Sequence, residues 1–243
     1  MAKQTKNQGD ERLENVEGAL SKTELWIENH QKLLWICLGG MLVIALSIWG
    51  FTHYRKKQNE KAQNLSYKPQ TEFEEKALKA NDFATYYAEN QDYATALNGN
   101  GETAGFLKIV DDYGRTKAGK LAAYYAGLCY IKQGEYQKAI EYLKKYTNKD
   151  KVLSSMALGL IGDCYLELGD SKNAIEYYEK AVEKKPNEYT TPTHLIKLGM
   201  AYEISGDNAK ALETYKTLKK EYPGSNEALD INKNIAYLQQ KMK

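Results

Sequence analysis

Few segments of this chain place reactive or ligating residues at spacings suited to chemistry. Gly114 to Lys120 reads GRTKAGK and matches the G-x-x-x-x-G-K of a phosphate-binding loop. In such a loop backbone N–H groups cradle the phosphates and the lysine neutralises them. Here the next residue is Leu121, so the Ser or Thr that would hold Mg²⁺ is missing, and a helical pattern precedes the segment in place of a strand. The residues read better as a helix stop at Gly114 and a new helix with Thr116 as its N-cap. Asn98 to Glu102, NGNGE, partly matches a calcium loop. It lacks the opening Asp, and its twelfth position is Ile109 where a bidentate Glu is needed, so a turn is expected. His30, His53 and His194 are scattered, with no His/Cys spacing for a metal and no nucleophile paired with a base. The chain therefore does not read as an enzyme. No catalytic residue, metal ligand, cofactor or bound nucleotide is expected.

The elements that carry these segments repeat. Leu121 opens LAAYYAGLCYIKQGEYQKAIEYLKKY, Met156 opens MALGLIGDCYLELGDSKNAIEYYEKAVEKKP, and Thr193 opens THLIKLGMAYEISGDNAKALETYKTLKKEYP. Gly127, Gly162 and Gly199 superpose, as do Tyr130, Tyr165 and Tyr202, then Gly134, Gly169 and Gly206, then Ala139, Ala174 and Ala211. Gly127 to Gly162 is 35 residues and Gly162 to Gly199 is 37. Each repeat reads as a helix pair. The first glycine lets two helices approach, and the second ends helix A in a left-handed cap. The acidic residue after it favours the start of helix B, and the alanine sits where packing is tightest. Cys129 and Cys164 are equivalent positions on helices about 10 Å apart, beyond disulfide reach, so both read as small buried residues.

These residues resemble the tetratricopeptide-repeat (TPR) family over about residues 120 to 225, whose period is about 34. Tyr146 and Leu218 depart from the usual Ala of helix B, and Lys151 stands where Pro is usual. The expected fold is all-α: a TPR α-solenoid of antiparallel helix pairs on one N-terminal transmembrane helix. A degenerate first pair is expected over 70–119, from Phe83, Tyr87, Tyr93, Ala96 and Leu97, with Ala104 to Tyr113 as its second helix. TPR units follow at 120–154, 155–191 and 192–224. An amphipathic helix over 225–243 caps the solenoid through Ala228, Ile231, Ile235 and Leu238.

The groove of the solenoid is the candidate binding surface. Helix A positions facing it are Leu121, Tyr124, Leu128 and Ile131, then Met156, Asp163, Leu166 and Glu167, then Ile196, Met200 and Glu203. TPR domains that grip chaperone C-termini hold the carboxylate with Lys and Asn, where this chain has Tyr124 and Leu128. An apolar groove containing Met and Tyr suits an amphipathic helix or an extended apolar segment instead.

Leu33 to Phe51, LLWICLGGMLVIALSIWGF, has no charged residue over about 19 positions, which span roughly 28 Å as a helix. Trp35, Trp49 and Tyr54 suit the two interfaces, and Lys32 with Arg55, Lys56 and Lys57 closes the segment. Ala45-Leu46-Ser47 resembles a signal-peptidase site, but the preceding 32 residues are long and carry six acidic residues from Asp10 to Glu28. A membrane anchor is expected, with residues 1–32 as a polar tail, disordered at first and weakly amphipathic from Leu20, and 52–69 as a juxtamembrane linker or helix. The flanking basic residues, Lys22 and Lys32 against Arg55, Lys56, Lys57 and Lys61, place the repeats in the cytoplasm by the positive-inside rule.

A helix leaving the membrane, an interrupted first repeat containing GFLKIVDDYGRTKAG, and three further repeats resemble the YfgM-like single-span TPR proteins of the bacterial inner membrane. That resemblance implies repeats in the periplasm, against the local charge count, and protein partners among Sec translocon subunits, periplasmic chaperones or exported clients. The implied role is a membrane-anchored scaffold or chaperone adaptor; the alternative is an architectural subunit of a larger envelope complex. A net charge of +2 and 20 Tyr against 4 Pro argue against a nucleic-acid binder and against a proline-rich disordered chain.

Overall fold

The computed structural model describes residues 8–79, 90–147, 150 and 152–243. Among the described residues the chain is helical, apart from one isolated antiparallel bridge between Gly99 and Ala104. The expected positions Phe83, Tyr87 and Lys151 lie outside the described residues. Two compact units divide at Lys56 and Lys57.

The first unit is the N-terminal part of α1, a helix that runs from Gln8 to Lys79. The tail expected to be disordered is thus helical from Gln8, and no break separates tail, apolar stretch and linker. Glu and Leu recur along its start, and extending an existing helix costs far less than nucleating one. Large apolar side chains from Leu33 to Phe51 are exposed, and α1 is long and apolar enough to cross a membrane. The Ser47 hydroxyl donates to the Val43 carbonyl at 2.8 Å and that of Thr52 to Trp49 at 2.9 Å, so their polar groups are satisfied within the helix. A lipid environment requires this.

The second unit begins with the rest of α1, in which Ala62, Ser66, Pro69 and Phe73 are buried at spacings of four, three and four. Helices α2 (Asn90–Asn98) and α3 (Phe106–Tyr113) follow. Then come three pairs: α4 (Lys117–Lys132) with α5 (Tyr136–Lys145), α6 (Val152–Glu167) with α7 (Ser171–Glu183), and α8 (Thr191–Ile204) with α9 (Asn208–Glu221). The amphipathic C-terminal segment is two helices, α10 (Asn226–Leu229) and α11 (Ile231–Lys241).

The glycines act as the repeat pattern requires. A Cβ on Gly127 would meet Leu143, one on Gly162 would meet the Tyr178 ring, and one on Gly199 would meet the Tyr215 ring, each within 2.6 Å. A helix B residue sixteen positions later therefore fills the space that each glycine leaves. Gly134, Gly169 and Gly206 have φ of 73°, 76° and 84° and end each helix A in a left-handed turn. The next N–H reaches back to the carbonyls of Tyr130, Tyr165 and Tyr202, which closes the cap. Asp170 and Asp207 then cap helix B through their side chains, accepting from the N–H groups of Asn173 and Lys210. Glu135, a methylene longer, makes no such cap bond and pairs with Lys138 at 3.2 Å.

Candidate functional site

The GRTKAGK segment is a helix junction. Thr116 caps α4 by accepting from the Gly119 N–H at 3.0 Å. A Cβ on Gly119 would stand 2.0 Å from the Tyr113 carbonyl oxygen, so this glycine serves a close backbone crossing. Cys129 and Cys164 are buried free thiols, and burial pushes both up to about 12, which keeps them protonated and unreactive.

The helix A faces turned away from helix B separate the expected groove residues into two groups. Met156 and Met200 are open, at 38% and 45% exposure, and Glu167 is exposed with them. Leu121, Leu128, Ile131, Leu166 and Ile196 are half-buried. Tyr124, by contrast, is 4% exposed and packs its ring against Tyr146 at 5.3 Å. Burial, with Tyr146 beside it, pushes its phenol up to about 12. Asp163 accepts from the Tyr178 hydroxyl at 2.6 Å and holds Lys197 at 2.7 and 2.9 Å. Glu203 accepts from the Tyr215 hydroxyl at 2.5 Å. The expectation that Tyr124 lines an open groove is corrected, since it is buried in the packing; Asp163 and Glu203 are half-buried and tie helix A to helix B. The cause is common to Asp163 and Glu203. The tyrosine that fills the glycine notch carries a buried hydroxyl, and a carboxylate on helix A must satisfy it.

The same network shows how α1 joins the repeats. Lys197 on α8 reaches back one repeat to Asp163 on α6. Its equivalents, by steps of 37 and 35 residues, are Leu160 and Tyr125. Tyr125 likewise reaches back, donating to Glu74 of α1 at 2.5 Å, while its ring meets Phe73 at 5.6 Å and stacks on Phe106 at 5.4 Å. Nearby, the Asn59 side chain accepts from the Ala118 N–H at 3.0 Å at the start of α4. The segment 59–74 thus touches α4 through Asn59, Phe73 and Glu74. Helix α3 lies within the segment expected as the second helix of the degenerate pair, and α2 holds Tyr93, Ala96 and Leu97 of its expected first helix.

Between α1, α4 and α6 lies a hollow of about 380 Å³. Its walls are Ser66 and Tyr67 of α1, Leu121 of α4, Tyr146 after α5 and Leu153 of α6. Gln63, Gln70, Lys117, Ala118 and Asp150 line it as well. The Ser66 hydroxyl is buried without a hydrogen-bond partner. Of these residues, sequence reasoning had named only Leu121 for the groove. On α1 the 4–3–4 spacing of Ala62, Ser66, Pro69 and Phe73 marks one helix face, but with one large apolar residue and a proline it gives a weak sequence signal.

Comparison with known proteins agrees with the repeat geometry. Residues 120–187 match one tetratricopeptide-repeat model, and residues 195–225 match a second. The chain therefore carries tetratricopeptide repeats over these residues. Arrays of this kind are generally non-catalytic scaffolds for protein–protein interaction. No curated protein matches the chain. Among solved structures, it is similar to the nearly identical TPR-like repeats of a Podospora anserina protein described as a kinesin light chain. The identity is 15% and the TM-score 0.39, covering 68% of this chain and 92% of that one.

Proposed function

We propose that this protein is a membrane-tethered scaffold whose groove holds a protein partner beside a protein-export or envelope-assembly machine. The observation that supports the binding reading is the open hollow between α1, α4 and α6, with Met156 and Met200 also exposed on the first helices of their pairs. Protein interiors close voids of this size, and a groove left open among repeats is where such arrays bind. The tether is supported by the exposed apolar run from Leu33 to Phe51 and by its internally satisfied hydroxyls. A tether confines the groove to a thin layer near the bilayer, which raises its effective concentration toward membrane-bound partners. Placement of the repeats in the periplasm, and translocon subunits, chaperones or exported clients as partners, rest on the resemblance to YfgM-like proteins.

Site-specific photocrosslinking in cells tests the reading. A photoreactive amino acid in place of Met156 or Met200 is expected to capture translocon subunits or exported clients, while one at exposed Tyr237 on α11 captures neither. Capture of one fixed envelope subunit in constant yield supports the architectural alternative. No adduct at either methionine removes the groove as a binding surface.

A further inference from the structure

The last helix carries the face of a helix A with no helix B upon it. A step of 37 residues, the spacing from Gly162 to Gly199, carries α8 onto α10 and α11. Thr191, His194, Leu198 and Ala201 then fall on Ala228, Ile231, Ile235 and Leu238. These four pack back on the array: three are buried and Ile235 is half-buried. Leu195, Gly199 and Tyr202, which α8 turns toward its own helix B, fall on Asn232, Ala236 and Gln239. In α8 all three are buried, and in α11 all three are exposed. No helix among the described residues covers this face, and a hollow of about 550 Å³ lies between it and Lys216, Lys219 and Lys220 of α9. Tyr237 lies outside that hollow.

The internal joints show what belongs in this place. In each, the equivalent of Lys216 bonds the tyrosine of the next helix A, and the next helix B closes over both. Lys144 donates to the Tyr165 hydroxyl at 3.3 Å and lies 5.4 Å from the Tyr177 ring of α7. The same helix brings Glu176, whose carboxyl is held low mainly by Lys180 and in part by Lys144. Glu179 accepts from the Tyr202 hydroxyl at 2.5 Å, and Lys210 of α9 lies 5.3 Å from that ring. At the end of the array the position holds Lys216, and no carboxylate lines the hollow. Lys219 and Lys220 lie in the last turn of α9, where the helix dipole favours them, but Lys216 is a turn earlier. Lys216 and Lys219 have no ion-pair partner among the described residues, and Lys220 pairs with its exposed neighbour Glu221.

We propose that the open face of α11 accepts an acidic amphipathic helix from a partner protein, which takes the helix B place and extends the array. Its apolar side lies on Ile235 and Ala236, as a helix B does on Leu198 and Gly199, and its acidic residues face Lys216, Lys219 and Lys220. A second copy of this chain is disfavoured, because a two-fold contact through this face sets lysines against lysines. A nucleic acid or an anionic lipid surface meets the lysines and leaves the strip of Ile235 and Ala236 without an apolar partner. The site stands at the end of the array and does not depend on the groove.

The test uses the full chain in zwitterionic nanodiscs and a phage-displayed library of helix-forming peptides of about 20 residues. Binders that also hold the double variant Lys216→Glu/Lys219→Glu are removed by counter-selection. Enriched peptides are synthesised and titrated, and each variant is checked by thermal melting. The expected peptides carry an apolar stripe at helical spacing flanked by Asp and Glu. The double variant and Ala236→Arg are each expected to weaken them about tenfold or more, the scale of a lost interface anchor, with unchanged melting because all three positions are exposed. Peptides with Lys in place of their acids are expected to bind the double variant better than the wild type. Met200→Glu, on the groove, is expected to leave both affinities unchanged. Binding no tighter than that of polyglutamate, or untouched by Ala236→Arg, would mean a nonspecific polyanion surface and overturn the proposal. Displacement of the peptides by phosphatidylglycerol vesicles, with Ala236→Arg silent, would assign the lysines to lipid instead. An absence of enriched peptides would leave α11 as a solvated cap only, overturning this site without touching the groove.

Discussion

Asp163 separates packing from binding most cleanly, because it sits on the groove-facing side of α6 while its oxygens serve the fold. Replacing it with alanine strands the Tyr178 hydroxyl, which it accepts at 2.6 Å and which belongs to a side chain that is 1% exposed. An orphaned buried hydroxyl costs about 1–3 kcal/mol. Loss of the pair with Lys197, whose partners' side chains remain 36% and 31% exposed, adds at most about 1 kcal/mol after solvent screening. The sum is about 1–4 kcal/mol, which lowers the melting temperature of a domain of this size by roughly 2–16 °C. Tyr178→Phe alone removes the hydroxyl while Asp163 keeps Lys197, and it costs about 1 kcal/mol. In the double variant no hydroxyl is stranded, so the two effects do not add and the cycle shows a coupling of about 1–2 kcal/mol. The assay is thermal melting of wild type, both single variants and the double variant, beside a binding titration of groove peptides. If Asp163→Ala melts within about 1 °C of the wild type, a shift smaller than a ~0.5 kcal/mol change produces, the packing argument fails. If it also loses binding, Asp163 is a contact residue after all.

Three further expectations follow from other elements. His194 is 4% exposed with neither ring nitrogen hydrogen-bonded; burial first, then neighbouring Lys197, lowers its pKa to about 4 against an opposing pull from Asp163. Its folded pKa lies below the ordinary 6.5, so its contribution is full above pH 6.5 and is lost as pH falls toward 4, by about 3 kcal/mol. Urea unfolding at pH 7 and 4.5 should therefore show a smaller loss for His194→Leu than for wild type, and equal losses would refute the assignment. Gly199→Ala drives a Cβ to 2.1 Å from the Tyr215 ring, which is fully buried and tied to Glu203. Overpacking of about 1–3 kcal/mol outweighs the ~1 kcal/mol helix gain of alanine, so its melting temperature falls, whereas Gly224→Ala, with open space around it, leaves stability unchanged. The anchor is checked by alkaline carbonate extraction, in which the full-length chain stays in the pellet, and its orientation by alkaline phosphatase fused after Lys243, which is active if the repeats lie outside the cytoplasm. A mature N-terminus at Ile48 would show cleavage instead.

The repeat core was legible because its constraints recur. Gly127, Gly162 and Gly199 announce three helix crossings, and Gly134, Gly169 and Gly206 announce three left-handed caps. The structure uses all six in those ways. The role of α1 was not legible from the same reasoning. Its contact face is built from Ala62, Ser66, Pro69 and Phe73, of which only Phe73 is a large apolar residue, and Pro69 reads as a helix end until the rest of the helix is seen to continue. Tyr146 was noted as a departure from the repeat pattern, and the structure supplies its cause. Helix α5 stops at Lys145, Tyr146 turns extended, and its ring packs on Tyr124 at the wall of the hollow. Positional analogy assigned Tyr124, Asp163 and Glu203 to the groove by their place on helix A. It missed that buried neighbours from helix B and the loop after α5 claim their polar or aromatic groups.

That competition decides what the groove can recognise. Position by position, Leu128, Asp163 and Met200 are equivalents, as are Tyr125, Leu160 and Lys197. In the second set, Tyr125 and Lys197 reach back to Glu74 and Asp163 one helix earlier, so that position mainly joins repeats. In the first set, Asp163 is consumed by the same joint, whereas Met200 is left 45% exposed. Charges on the groove face are thus largely spoken for within the array. The side chains left open are the unbranched, adaptable Met156 and Met200, the carboxylate of Glu167, and the apolar walls of the hollow between α1, α4 and α6. A surface most of whose ionic groups are internally paired selects partners by shape and apolar anchors, with Glu167 and Lys117 as uncommitted charges. Its binding should accordingly depend weakly on salt: raising the ionic strength from about 0.05 to about 0.5 M should weaken a groove peptide by no more than the loss of about one screened ion pair. A steep, multi-charge salt dependence would mean that recognition runs through some other face of the repeats.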